Sequence, residues 1–195
     1  MHLPAPCMPV SMPAHTQVKL SLSRVNATEN DVMTGTFESG DGGAFYVLGG
    51  GRSRVTISGG SVLSRNGATH GGAVYAESST SLVFEVSGGS RLVLNRAGFA
   101  AGAISVGGKQ EVAIRITGSS AVSRNSVSGF GGAILAFAKT GSLVVSDHSS
   151  VSGNVANLYS PSDAKTNGGN GGGAWLEVSA CGCVGGRSVL VQRMK

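Results

Sequence analysis

Apolar residues recur along this chain with two superimposed periods. Over short stretches they alternate with other residues, as in Val55-Thr56-Ile57-Ser58, Phe84-Glu85-Val86-Ser87, Ile114-Arg115-Ile116-Thr117 and Leu143-Val144-Val145-Ser146. Alternation of this kind predicts half-buried strands, with the first and third residues inward and Thr56, Glu85, Arg115 and Val144 outward. Over longer distances the same blocks return every ~30 residues, a period typical of stacked repeat architectures.

Each block continues in the same way. A turn signal (Gly59-Gly60, Gly88-Gly89, Gly118-Ser119, Asp147-His148) leads into a serine column of Ser61, Ser90, Ser120 and Ser149. A second short strand carries Leu63, Leu92, Val122 and Val151 as its apolar column, and the asparagine column Asn66, Asn95, Asn125 and Asn154 follows it. The role expected of these asparagines is a structural ladder. Asn tolerates left-handed backbone angles, and its amide both donates and accepts, so stacked copies link one coil to the next.

A glycine step then opens a third strand: Gly42-Gly43-Ala44, Gly71-Gly72-Ala73, Ala101-Gly102-Ala103, Gly131-Gly132-Ala133 and Gly172-Gly173-Ala174. In this alignment the repeat glycines are Gly43, Gly72, Gly102, Gly132 and Gly173. The strand is expected to bury Phe45, Val74, Ile104, Ile134 and Trp175. Alternation turns the alanines outward with Tyr46, Tyr75, Ser105, Leu135 and Leu176.

Three short strands per repeat, with like residues at matched positions, predict an all-β fold. The expected form is a single-stranded right-handed parallel β-helix, pectin-lyase-like, of about five coils of ~30 residues hydrogen-bonded ~4.8 Å apart. It occupies residues 17–195, behind a disordered tail, residues 1–16, that contains Pro4, Pro6, Pro9 and Pro13. A leucine-rich repeat has a similar period but demands a Leu-x-x-Leu-x-Leu frame and a helical segment, which this chain lacks.

Composition narrows the classes. The 32 glycines come with only 5 prolines and no Gly-x-y period, and 41% of residues are hydrophobic, so neither collagen nor disorder fits. The net charge of +5 comes from singly scattered Lys and Arg without aromatic interleaving, which is not the footprint of a nucleic-acid binder. Cys181 and Cys183 form a lone Cys-x-Cys, and with Cys7 they make neither a four-ligand zinc site nor a disulfide framework. No metal and no cofactor is expected. No stretch has the apolar length of a transmembrane helix, and residues 1–16 lack the apolar core of a signal peptide.

The ordered pairing of two motifs carries a family resemblance. Gly131 to Ile134 spells Gly-Gly-Ala-Ile, and Leu63-Ser64-Arg65-Asn66, Leu92-Val93-Leu94-Asn95, Val122-Ser123-Arg124-Asn125 and Val151-Ser152-Gly153-Asn154 place an aliphatic residue three before each Asn. Over residues 55–178 this resembles the tandem Gly-Gly-Ala-Ile and Phe-x-x-Asn repeats of the chlamydial polymorphic outer-membrane proteins, with Phe replaced. The resemblance implies an autotransporter-passenger type of β-helix, a non-catalytic adhesion or structural module at the cell surface or outside the cell. A host-cell protein or a glycan is the partner it implies. The chain has neither a strict Phe in the first motif, nor a secretion signal, nor a stretch able to form that family's translocator barrel. Ser188-Val189-Leu190 resembles Ser61-Val62-Leu63, so a sixth coil is expected to begin there. The chain is then a fragment of a longer repeat protein, and its open coil edges invite end-to-end association.

Specificity is expected where the spacing breaks. The connection after Asn26 runs through residues 27–41 and that after Asn154 through residues 155–171, and such insertions map to loops on one face. The candidate binding-loop residues are Glu29, Asp31, Glu38 and Asp41 in the first and Tyr159, Asp163 and Lys165 in the second. The first loop lacks the Asp-x-Asp-x-Asp-Gly frame of a calcium loop. Tyr46 and Tyr75, outward in adjacent coils, offer flat rings to a sugar or a partner surface. Glu85 and Arg115 are an ordinary cross-strand pair. The alternative function is a polysaccharide lyase or glycoside hydrolase, which needs facing carboxylates or a base among cations. Glu77, Glu85, Glu111, Asp147 and Glu177 do not recur as a cluster, and His70 and His148 fall in turns without an evident partner, so no catalytic residue is assigned.

Overall fold

A computed structural model describes residues 17–32, 40–156, 172–179 and 187–189. These residues contain strands and turns and no helix. The chain winds as a β-solenoid of about four turns, and each turn visits four stacked sheets. Sheet A stacks Lys19–Ser23, Arg52–Ser58, Ser81–Val86, Glu111–Ile116 and Thr140–Val145. Sheet B stacks Asn26–Thr28, Val62–Ser64, Arg91–Val93, Ala121–Ser123 and Ser150–Ser152. Sheet C holds Gly67–His70, Arg96–Ala100, Ser126–Val127 and Val155–Ala156, a fourth strand per turn that alternation alone did not predict. These segments are short and rich in small residues, so they carry little periodic signal. Sheet D stacks Phe45–Gly49, Val74–Ser78, Ile104–Gly108, Ile134–Ala138 and Ala174–Ser179, all parallel.

Sheet A follows the predicted register. Val55 pairs with Phe84 and Phe84 with Ile114, and all three are fully buried, as are Ile57, Val86 and Ile116. Leu63, Leu92 and Val122 of sheet B close the core from a second side, and Val74, Ile104 and Ile134 of sheet D from a third. Each such side chain contributes roughly 1.5–3 kcal/mol when fully removed from water.

The asparagine ladder forms, for a reason partly different from the one expected. Asn66, Asn95 and Asn125 are fully buried. The left-handed backbone belongs to the preceding residue, with φ of 55° at Arg65, 58° at Leu94 and 54° at Arg124. The asparagines supply amides: Asn95 Oδ1 accepts from the Asn66 backbone N–H and from Asn66 Nδ2, while Asn95 Nδ2 donates to the Leu63 carbonyl and to Asn125 Oδ1. The first rung is Asn30, whose Nδ2 donates to Asn66 Oδ1, because Asn26 pairs with Val62 instead. A serine ladder runs alongside, Ser61 N–H donating to Ser90 Oγ and Ser90 N–H to Ser120 Oγ.

The glycine step follows from steric contact. A Cβ on Gly43, Gly72, Gly102 or Gly132 would lie 2.3, 2.3, 2.4 or 2.2 Å from the carbonyl oxygen of the glycine one turn on. The last member of that column is Gly172, not Gly173. Ile134 pairs with Ala174 and Leu135 with Trp175, so the final turn is shifted by one residue from the sequence alignment. The shift keeps the bulky Trp175 out of a core lined here by Val, Ile and Ala, and buries Leu176 in its place. The alanines Ala73, Ala103 and Ala133 are likewise inward and fully buried. Two successive N–H groups, those of Ala73 and Val74, both donate to the Ala103 carbonyl, so the backbone is still turning there and strict alternation begins one residue later.

At the C-terminal side, Arg187–Val189 runs antiparallel to Ala174–Ser179 and does not begin a further parallel turn. Residues 1–16 lie outside the described residues.

Candidate functional site

The outward face of sheet D is where the regular stack is interrupted. One outward column reads Tyr46, Tyr75, Ser105, Leu135, Trp175 in successive turns, and the next reads Leu48, Glu77, Gly107, Phe137. Side chains in a parallel stack stand over those of the neighbouring turns, so the small pair Ser105 and Gly107 leaves a gap between Tyr75 and Glu77 on one side and Leu135 and Phe137 on the other. The result is a groove of about 1070 Å³ along the strand Ile104–Gly108.

Sheet C supplies one end of the groove. Its register shifts between Ala97 and Ala100, and this extra residue leaves Phe99 52% exposed beside the groove. Phe99 packs edge-on against His70 and Phe130 at ring separations of 5.3 and 6.0 Å, and Phe130 against Trp175 at 5.7 Å. Leu135, Ala100 and Ala101 form a small buried cluster beneath these rings, so the aromatic wall rests on packed residues. Lys109 and Lys139 line the other end.

Polar groups gather at the side of the groove nearest Tyr75. His70 Nδ1 lies 2.7 Å from Asp41 Oδ1, which gives this histidine the partner that its position in a turn did not reveal. With Nδ1 committed to Asp41, Nε2 is the ring nitrogen left for a ligand. Tyr75 donates its hydroxyl to Glu77 Oε2 at 2.9 Å. Burial, that hydrogen bond and the Glu77 charge together raise the Tyr75 phenol above its ordinary value. Tyr46 is raised by burial and then by Asp41 and Glu77. The two tyrosines stand in adjacent turns and stack on each other, with centroids 5.3 Å apart and planes 20° from parallel. Only Tyr75 lines the groove; Tyr46 supports it from behind.

Among the described residues, the acidic side chains Glu29, Asp31 and Asp41 of the first long connection face different partners. Glu29 sits 3.7 Å from Arg65, Asp31 pairs with Arg96, and Asp41 faces His70. Glu38, Tyr159, Asp163 and Lys165 lie outside the described residues. The described ends of the first long connection, at Val32 and Gly40, both pair along the sheet C strand Gly67–His70, while the second leaves sheet C at Ala156 and is described again at Gly172, just before sheet D. On the outer face of sheet A, Glu85 bonds Arg54 at 2.9 Å and lies 3.6 Å from Arg115, a solvated ion pair network.

Periodicity did not point to Phe99, Phe130, Phe137, Lys109 or Lys139. A usable signal was nonetheless present: aromatic residues just before the glycine step, and two small residues, Ser105 and Gly107, within otherwise bulky columns. No protein-family model, curated protein or solved structure matches the chain.

Proposed function

We propose that this protein is a non-catalytic adhesion and structural module of the cell surface or extracellular space, and that it holds a carbohydrate in the groove of sheet D. The observation that carries the proposal is the wall of Tyr75, Phe99, Phe130, Phe137 and Trp175 around a hollow floored by Ser105 and Gly107. Sugar rings have apolar C–H faces that lie on aromatic rings and hydroxyls that donate to carboxylates, and the groove offers both. The paired Gly-Gly-Ala and x-x-x-Asn motifs support kinship with the chlamydial polymorphic outer-membrane repeats and their passenger role. The strong preference of parallel crossover connections for one hand supports a right-handed winding.

Binding to a glycan array and to host-cell surfaces tests this reading. Phe99→Ala with Phe137→Ala, both at exposed side chains, is expected to reduce binding at least tenfold with an unchanged circular dichroism spectrum; full retention of binding overturns the proposal. Gly107→Trp fills the hollow from a position where an added Cβ meets only Glu77 at ordinary contact distance, and should have the same effect.

A second reading, polysaccharide processing, is favoured by one observation: the Asp41–His70 and Tyr75–Glu77 pairs face the same groove. Such pairs are the material of general acid–base catalysis. Incubation with acidic and neutral polysaccharides, followed for unsaturated ends and reducing sugars, separates the two readings. Turnover that disappears in His70→Ala would replace adhesion by catalysis.

A further inference from the structure

Within the carbohydrate-binding reading, on which this step rests, we infer that the ligand is an acidic oligosaccharide whose carboxylate or sulfate is held between Lys109 and Lys139. Both lysines line the groove, Lys109 just beyond the strand Ile104–Gly108 and Lys139 just beyond the adjacent strand Ile134–Ala138. Both are exposed, and neither has a salt-bridge partner among the described residues. Two ammonium groups lining one groove repel each other, and an anion seated between them removes that repulsion.

The groove's acidic groups lie on the Tyr75 side. Asp41 and Glu77 keep their charges but are turned to His70 and Tyr75, so the ligand's acidic group is drawn to the lysines. Between the lysines and the rings of Phe99 and Phe130 runs the strand Ile104–Gly108, whose five residues at ~3.3 Å each give room for a few sugar rings in line. That strand is paired on both edges, so it offers no free backbone edge for a peptide to extend the sheet. The ligand is therefore recognised by side chains alone: aromatic rings at one end, Ser105 on the floor and two ammonium groups at the other.

The test is calorimetric titration of the whole chain with three hexasaccharides: a uronate oligomer, a sulfated oligomer and a neutral glucose oligomer. At least one acidic oligomer should bind tenfold or more tighter than the neutral one, about 1.4 kcal/mol, and its affinity should fall as salt is raised. Lys109→Ala with Lys139→Ala should erase that preference by bringing acidic binding down to the neutral level, and the double Glu variant should reverse it. Equal binding of acidic and neutral oligomers, abolished by Phe99→Ala with Phe137→Ala, overturns the acidic assignment and leaves the groove as a carbohydrate site. Failure of all three to bind the wild-type chain overturns both. Lysine-dependent binding of acidic peptides without any saccharide binding also overturns the inference.

Discussion

Asn95 accepts two hydrogen bonds and donates two through one buried amide, and it joins Asn66 to Asn125 in the ladder. Asn95→Ala leaves the buried Asn66 backbone N–H without its acceptor and takes one bond each from Asn66 Nδ2, the Leu63 carbonyl and Asn125 Oδ1, so a loss of about 3 kcal/mol is expected in urea denaturation. Asn95→Asp has nearly the same shape yet should cost more. It removes both donors, buries a carboxylate against Asn125 Oδ1, and should become worse as pH rises through the carboxylate range. Ser53 gives the opposite case. It is buried, and its Oγ has no partner among the described residues, so Ser53→Ala should raise stability by about 1 kcal/mol. The asparagine column was legible in the sequence because the residue type recurs at one spacing. Its mechanism was only half legible, since backbone angles at Arg65, Leu94 and Arg124 are not written in a column of Asn.

At the level of the element, the glycine step sets how closely sheet D can stack. Gly102→Ala places a methyl 2.4 Å from the Gly132 carbonyl, a backbone atom that cannot move without opening the adjacent turn. A loss of roughly 1–3 kcal/mol is expected, together with faster amide exchange in Ile104–Gly108 and Ile134–Ala138. Gly107→Ala serves as the comparison. Its Cβ meets only the flexible Glu77 side chain at 3.4 Å, so the denaturation midpoint should move little. Strands of sheets A and B were legible because strict alternation over a half-buried sheet fixes which residues face inward. The last strand of sheet D was not. Its glycine-rich approach allows two registers, and the choice between Trp175 inside and Trp175 outside falls to the width of the core.

For the molecule as a whole, the parallel stack converts residues ~30 apart in sequence into neighbours, and the groove arises only in that stack. Tyr75 and Tyr46 couple the groove to pH. Their phenols are held above the ordinary tyrosine value, so the native state retains protons that the unfolded chain releases. The corresponding stabilisation is complete below about pH 10 and is lost as pH rises through the folded value. Denaturation midpoints followed from about pH 8 upward should fall on the alkaline side, and Tyr75→Phe should flatten that fall. The sequence by itself determined the strand pattern, the stacking period, the inward columns of sheets A and B and the polar ladders, because each repeats at short range and at fixed spacing. Tertiary structure alone decided the fourth sheet, the inward alanines, the register of Gly172 and Trp175, and the meeting of Asp41 with His70. It also decided that Ser105 and Gly107 form a hollow, since a gap exists only relative to the larger side chains stacked above and below it.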